Sequence, residues 1–125
     1  MGYRSGLEKV IGEQLASTGL KWEFECTKIP YIGKPHTYTP DFKIGNVYIE
    51  TKGRFLPKDR AKHLLIKEQH PELDIRFVFN NPQAKLNKGS KTTYAEWCIK
   101  YGFSYAKGVI PDSWISEFLA HGAVP

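Results

Sequence analysis

Apolar and polar side chains alternate along residues 41–52, and this alternation predicts a β-hairpin. One strand would cover residues 41–44 and the other residues 47–52, joined by Gly45 and Asn46. These two residue types tolerate the positive φ that a two-residue turn requires. Because successive side chains point to opposite faces of a strand, one face of the hairpin is uniformly apolar. It carries Phe42, Ile44, Val47 and Ile49.

The other face of the predicted hairpin is charged. The two-residue turn places Asp41 opposite Glu50, and carboxylates so paired have Cβ atoms roughly 5 Å apart and repel each other. A divalent cation offsets that repulsion, since hard cations such as Mg²⁺ take oxygen ligands from one or two carboxylates and leave room for phosphate and water. Lys52 lies on the same face. The pattern therefore indicates a site for phosphodiester hydrolysis. A solvated polar face is the competing interpretation.

A helix is predicted after Ser5, because Ser5 and Glu8 form a capping-box pattern. Apolar residues then recur at helical spacing up to Gly19, a residue type that commonly ends helices. Glu8 lies beside this apolar stripe and has two interpretations. It caps the helix, or its carboxylate points toward the sheet and joins the site.

The remaining pattern predicts alternating strands and helices within one domain, residues 1–125. A strand from residue 22 runs into a segment bracketed by Pro30 and Pro35, and residues 29–36 are interpreted as a bridge rather than an interior strand. Further elements are predicted at residues 59–70 (helix), 75–79 (strand), 93–102 (helix), 103–106 (strand) and from 111 onward (helix). This order indicates an α/β fold with a single mixed sheet flanked by helices.

Composition excludes several classes of protein. With 125 residues and 41% hydrophobic residues, the chain is long enough for a core of its own. It has no apolar run that would span a membrane or serve as a signal peptide. Cys26 and Cys98 form no metal-binding pattern, so a zinc site is not expected, and two such cysteines suit a reducing cytoplasm.

The charge balance favours a polyanionic partner. The chain has 18 Lys and Arg against 13 Asp and Glu, a net charge of +5, and several of the acids belong to the proposed site. Nucleic acid is the expected partner. The helix at 59–70 and the loop at 80–91 carry most of the candidate phosphate contacts, although a solvated face is the commoner role for such residues. The candidates are Arg4, Arg54, Arg60, Lys62, His63, Lys67, Lys85, Lys88 and Lys91.

Several blocks of sequence resemble a known family. They are SGLE at 5–8, TYTPDF at 37–42, ETKG at 50–53, KHLLIKEQHPELDIRFVF at 62–79, KGS at 88–90 and IP-x-x-WI at 110–115. Together they resemble phage endonuclease I, the family of four-way-junction-resolving enzymes in the PD-(D/E)xK nuclease superfamily. The resemblance implies a restriction-endonuclease-like core. It also implies that Glu8, Asp41, Glu50 and Lys52 are catalytic.

The same resemblance implies the cofactor and the partners. One or two Mg²⁺ or Mn²⁺ ions would be held by Asp41, Glu50, the Thr51 carbonyl and Glu8, with no small-molecule cofactor. The substrate would be branched DNA, especially four-way (Holliday) junctions, in the cytoplasm of the host cell. The protein would be a homodimer with exchanged segments, in which the bridge at 29–36 passes between subunits and Glu8 joins the partner's site.

Two other functions fit the same residues. The chain could be a non-catalytic protein that binds branched DNA, with its acids forming a structural metal site or a polar face. It could also be a mismatch or restriction-type nuclease on the same fold.

Overall fold

A central five-stranded sheet and a separate two-stranded sheet organise the chain. The computed structural model describes residues 2–25, 27–32 and 36–122. The strands are β1 (Glu23–Phe24), β2 (Ile29–Tyr31), β3 (His36–Tyr38), β4 (Phe42–Ile44), β5 (Val47–Lys52), β6 (Asp74–Phe79) and β7 (Ser104–Lys107). The helices are α1 (Gly6–Thr18), α2 (Pro57–Gln69), α3 (Tyr94–Tyr101) and α4 (Asp112–Ala120).

The central sheet is mixed, with strand order β1-β4-β5-β6-β7. β4 is antiparallel to both β1 and β5, whereas β6 is parallel to β5 and to β7. Parallel neighbours need a crossover connection, and α2 and α3 supply it. The predicted α/β architecture with one mixed sheet flanked by helices is confirmed. The restriction-endonuclease-like core and the exchanged dimer stay predictions.

The predicted hairpin is present with the predicted register. Phe42 pairs with Ile49 and Ile44 with Val47, and Gly45 takes the positive φ of 60° that the turn needs. The strand itself begins at Phe42, so Asp41 immediately precedes β4. This register places Asp41 beside the side chain of Glu50.

Two hydrophobic cores cover the two faces of the central sheet. The apolar face of the hairpin packs with α1 and α4 in one core, to which Ile11, Leu15 and Phe118 contribute. The other face packs against α2, α3 and the β2–β3 hairpin in a core rich in aromatic rings. Both faces are therefore buried, and the acidic end of β5 lies under the aromatic side.

Helix α1 is fixed at both ends and in its middle. The Ser5 hydroxyl accepts a hydrogen bond from the backbone of Glu8, and Gly19 ends the helix in the left-handed conformation, with φ 75°. Gln14 donates to the Ile110 carbonyl and accepts from the Ile110 amide. This clamp ties α1 to the segment before α4 and so holds Glu8 over the sheet.

The segment predicted as a bridge contributes to a pair of short antiparallel strands. β2 and β3 pair antiparallel, with Ile29 opposite Tyr38 and Pro30 opposite Thr37. This pairing agrees with the expectation that the segment is not an interior strand of the sheet. Pro30 is tolerated because a two-stranded sheet has only edges, where a missing N–H costs little. Residues 33–35 lie outside the described part of the chain, and passage of the bridge between subunits stays a prediction.

Two predicted boundaries also differ. The strand expected from residue 22 is interrupted after Phe24, because Glu25 takes a positive φ of 52°, and Cys26 lies outside the described residues. Helix α2 begins at Pro57 rather than at residue 59, since proline is well suited to the first helical turn. None of the helices in the described ranges is long and apolar enough to cross a bilayer.

Candidate active site

Asp41 and Glu50 meet at the point where β5 continues past the beginning of β4. The Asp41 amide donates to Glu50 Oε1 at 3.1 Å. In return, the Thr51 amide and hydroxyl both donate to Asp41 Oδ2, at 2.9 and 2.8 Å. Side-chain carboxylates thus replace the ladder bonds that a longer β4 would make. The two acids thus lie side by side, as the predicted register requires.

Glu50 is almost fully buried, with 3% of its surface exposed. A solvated polar face is therefore the wrong interpretation for this strand. The Tyr38 hydroxyl donates to Oε1 at 2.9 Å, but burial still dominates. It raises the pKa of Glu50 to about 8, and the nearby Asp41 charge acts in the same direction. Burial likewise raises the pKa of Asp41, against the bonds from Thr51.

Lys52 supplies positive charge at the same end of β5. Its Nζ lies 3.8 Å from Glu50 Oε2 and 3.6 Å from Asp59 Oδ1. The side chain is partly buried between these two acids. A lysine held this way has its ammonium group directed at the carboxylates and away from bulk solvent.

Glu8 reaches the site from α1. It is buried, with 6% exposed, and its Oε1 accepts from the Arg4 amide at 2.8 Å. The predicted capping box is thus only half formed: Ser5 caps the helix, but the Glu8 carboxylate does not return to the Ser5 amide. Among the described residues, Glu8, Glu25 and Asp41 offer one carboxylate oxygen each within 4.8 Å of one another.

Glu25 is the member of this cluster that the sequence reasoning missed. Its amide donates to the Asp41 carbonyl at 3.1 Å, and its positive φ of 52° ends the strand alternation there. The sequence pattern shows Glu25 only as one polar position in a strand. The signal that places it at the site is therefore a long-range backbone contact, which local patterning does not reveal.

Arg4 lies among these three carboxylates. Its guanidinium forms an ion pair with Glu25, and one nitrogen lies 3.5 Å from Glu8 Oε2 and 3.8 Å from Asp41 Oδ1. Arg4 was a candidate DNA contact. The structure instead places its charge where a cation bound by the carboxylates would lie, although the side chain remains 64% exposed.

The other candidate phosphate contacts differ in their exposure and in their partners. Arg60 donates to the Phe55 carbonyl at 2.6 Å, and Lys67 donates to the Gly102 carbonyl at 3.3 Å, so both have roles within the fold. Lys62 is half-buried beside the site, with its ammonium 5.7 Å from the centre of the Tyr38 ring. Four candidates are exposed: Arg54, Lys85, Lys88 and Lys91. Of these, Lys85 also donates to the Lys91 carbonyl at 3.2 Å.

The structure corrects the prediction made for His63. It was predicted to contact DNA from the basic face of α2, but its side chain is 0% exposed. The ring packs against Tyr38 and Phe77, with ring centres 5.1 and 4.8 Å apart. A fully enclosed side chain cannot touch a phosphate, so the DNA-contact prediction for His63 is wrong.

With this geometry in place, comparison with known proteins gives the family. A sequence model described as Phage endonuclease I matches residues 1–123. The chain belongs to the phage endonuclease I family. It is 52% identical over 118 residues to Endonuclease I of Escherichia phage T7, an alignment that covers 92% of this chain and 79% of that protein. It is 51% identical over 118 residues to Endodeoxyribonuclease 1 of Enterobacteria phage T3, covering 92% of this chain and 78% of the relative.

The range matched by the family model includes all the residues that meet at this site. Glu8, Glu25, Asp41, Glu50 and Lys52 all fall inside the matched range. The family assignment and the convergence of carboxylates and lysine are independent observations, one from overall sequence and one from geometry. The family match covers nearly the whole chain, so the geometry alone selects this part of it as the candidate functional site.

The raised pKa of Glu50 predicts a pH-dependent loss of stability in the absence of divalent ions. An ordinary glutamate has a pKa of 4.5, and in the folded chain the value is about 8. Between these values the folded state holds a proton that the unfolded state has released, so stability falls as pH rises from about 4.5 to about 8. Glu50→Gln removes this dependence. Relative to the parent, the variant should gain on the order of a few kcal/mol across that window, since one pKa unit is about 1.4 kcal/mol.

Urea unfolding at several pH values in EDTA measures this difference. Glu13→Gln, an exposed substitution on α1, is the control and should follow the parent at every pH. Parallel pH profiles for the parent and Glu50→Gln would show that Glu50 is not held protonated in the folded chain.

Proposed function

We propose that the chain is a metal-dependent, structure-selective DNA endonuclease that resolves four-way (Holliday) junctions and other branched DNA. The observation that carries the proposal is the convergence of buried carboxylates with Lys52 at one end of β5, in a member of the phage endonuclease I family. The relatives named for endonuclease and endodeoxyribonuclease activity support the same reaction class.

The donor atoms of the site fit a hard divalent ion. Glu8, Glu25 and Asp41 offer carboxylate oxygens within 4.8 Å of one another, and oxygen ligands of this kind suit Mg²⁺ or Mn²⁺. The presence of the Arg4 guanidinium among them shows that the cluster already attracts positive charge. Glu50 and the Thr51 carbonyl remain proposed ligands of one or two ions, beside this cluster.

The chemistry then divides between the ion and the chain. A bound divalent ion lowers the pKa of a water molecule and offsets charge on the scissile phosphate. Lys52 would orient the attacking hydroxide and stabilise the negative charge of the pentacoordinate phosphorane. Thr51 and Tyr38 hold the Asp41 and Glu50 carboxylates in fixed orientations through their hydrogen bonds. By analogy with the family, the products carry a 5′-phosphate and a 3′-hydroxyl.

The exposed basic residues are the proposed contacts to the DNA phosphates. Arg54 follows β5 directly, and Lys85, Lys88 and Lys91 lie on the loop before α3. Contacts from such residues to phosphates position a protein on the nucleic acid but carry no sequence information. Selection by the shape of the junction is therefore proposed in place of sequence-specific base recognition.

A substrate panel tests the proposal. We expect the parent protein to cut a four-way junction in Mg²⁺ but not in EDTA, and to cut linear and mismatched duplexes much more slowly. Glu50→Gln should still bind the junction but not cleave it, because the buried charge that supports the ion and Lys52 is gone. Denaturing gel electrophoresis of end-labelled strands measures the cleavage, and Glu13→Gln serves as the active control.

The same panel separates the rival functions. Junction binding without cleavage of any substrate in Mg²⁺ or Mn²⁺ would favour the non-catalytic binding protein. Equal cleavage of mismatched and four-way DNA would favour the mismatch or restriction-type nuclease. Cleavage by Glu50→Gln at the parent rate would refute the proposed site.

Glu25 and Glu23 form a matched pair for testing the ion-binding cluster. Glu25 faces Glu8 and Asp41, whereas Glu23, two residues earlier, is exposed. Because affinity for such ions depends on the number of ligand charges, Glu25→Gln should weaken Mn²⁺ binding by about an order of magnitude. Glu23→Gln should leave it unchanged. Isothermal titration calorimetry measures both, and equal affinities for the two variants would exclude Glu25 from the site.

The proposal includes a homodimer, since resolving a junction needs two cuts and two symmetric sites supply them. The described chain places its own Glu8 beside its own Asp41, which is the unexchanged arrangement. The α1–β1 unit docks on the sheet through non-covalent contacts, which an identical partner is able to reproduce. We therefore keep the exchanged dimer, in which Glu8 of the partner subunit completes each site, as part of the proposal.

Mixing two inactive chains distinguishes the arrangements. In a heterodimer of Glu8→Ala and Glu50→Ala chains, exchange gathers both changes into one site and leaves the other intact, so nicking of the junction should return. Without exchange, each site keeps one change and no activity appears. Differently tagged chains, purified as heterodimers, give the measurement. Homodimers of each variant provide the inactive baseline, and inactive heterodimers would rule out exchange but not the nuclease.

A further inference from the structure

His63 is a polar side chain enclosed among aromatic rings. It lies on α2 and is 0% exposed, and among the described residues neither of its ring nitrogens has a hydrogen-bond partner. A buried polar group left unpaired loses its hydrogen bonds to water without replacement, and such groups in native structures call for an explanation. An apolar residue of similar size would fill the same space without that cost.

Among the carboxylates of the described residues, one lies close to the ring. Tyr38, Phe77 and Phe103 present their rings to it, with centres 5.1, 4.8 and 6.3 Å away. Glu50 Oε2 lies 4.0 Å from Nε2, which is about 1 Å beyond hydrogen-bond length. Oε2 is also the Glu50 oxygen that does not accept from Tyr38 or from the Asp41 amide.

From this geometry we infer that His63 is the positioning residue of Glu50, donating a hydrogen bond from Nε2–H to Oε2 when the carboxylate takes its working orientation. With Tyr38 on Oε1 and His63 on Oε2, both oxygens of the buried carboxylate are fixed. The inference rests on the proposed function, because the working orientation is the one that supports the ion and Lys52. It deepens that function by naming a residue that acts through Glu50 without touching DNA.

The inference requires no change of protonation at His63. Burial, and then the charges of Lys62 and Lys52, lower the pKa of the ring well below its ordinary value. The ring is therefore neutral and carries one N–H. Partners that orient a ligating carboxylate are typically worth about 10- to 100-fold in ion affinity or activity.

The first experiment compares ion affinity with stability. His63→Phe keeps a ring but removes both nitrogens, so it should be at least as stable as the parent and yet bind Mn²⁺ and cut a junction about 10- to 100-fold more weakly. His63→Gln retains an N–H at similar reach and should restore most of the affinity. Cys98→Ala, a buried change in the same aromatic core, is the control that lowers the melting temperature without lowering Mn²⁺ affinity.

The second experiment is independent of ions and of cleavage. The inference requires the ring proton to be on Nε2 when the Glu50 carboxylate is ionised. Long-range ¹H–¹⁵N spectra of the ion-free protein with labelled histidine report the tautomer directly, at a pH above the Glu50 pKa of about 8. A proton on Nδ1 would overturn the inference whatever the enzyme does. So would a His63→Phe variant that binds Mn²⁺ like the parent. A parent protein that neither binds ions nor cuts DNA would refute the proposed function instead, and the tautomer would still decide the role of His63.

Discussion

Burial of two carboxylates beside the central strand of the sheet, β5, is the constraint on which the rest of the site depends. Asp41 and Glu50 are both nearly enclosed, and each remains there only because donors from other segments satisfy it. Tyr38 comes from β3, Thr51 from β5 and Lys52 from the end of the same strand. The site therefore does not exist before β3, the β4–β5 hairpin and α2 have packed together. Its formation is part of folding the domain.

The hairpin was predictable because its register follows from local features. A two-residue turn at Gly45 and Asn46 fixes which residues face each other, and strand alternation then separates the apolar from the charged side. No comparable local feature specifies Glu25, whose position depends on a backbone bond to Asp41 across the sheet. The β2–β3 hairpin was missed for a related reason. Pro30 suggested an interruption, but a strand that pairs on one side only tolerates a proline.

Helix α2 shows how charge can mislead a sequence interpretation. Several of its cations were assigned to DNA, yet Arg60 and Lys67 bind backbone carbonyls, and His63 lies in the core. His63 and Ile66 are the buried residues of this helix, and their spacing of three is the helical signal for a shared inward face. The charge pattern does not identify this inward face, and neither do the leucines, since Leu64 and Leu65 are only half-buried. The surface left for phosphates is smaller than net charge suggests.

Arg4 gives the domain a counter-ion of its own. Its guanidinium lies among Glu8, Glu25 and Asp41, so the mutual repulsion of these acids is already offset by a residue encoded in the chain. Small domains organised by structural zinc lack such compensation and stay unfolded until the metal arrives. Here part of that compensation is encoded in the chain, because the positive charge among the three carboxylates comes from Arg4 itself.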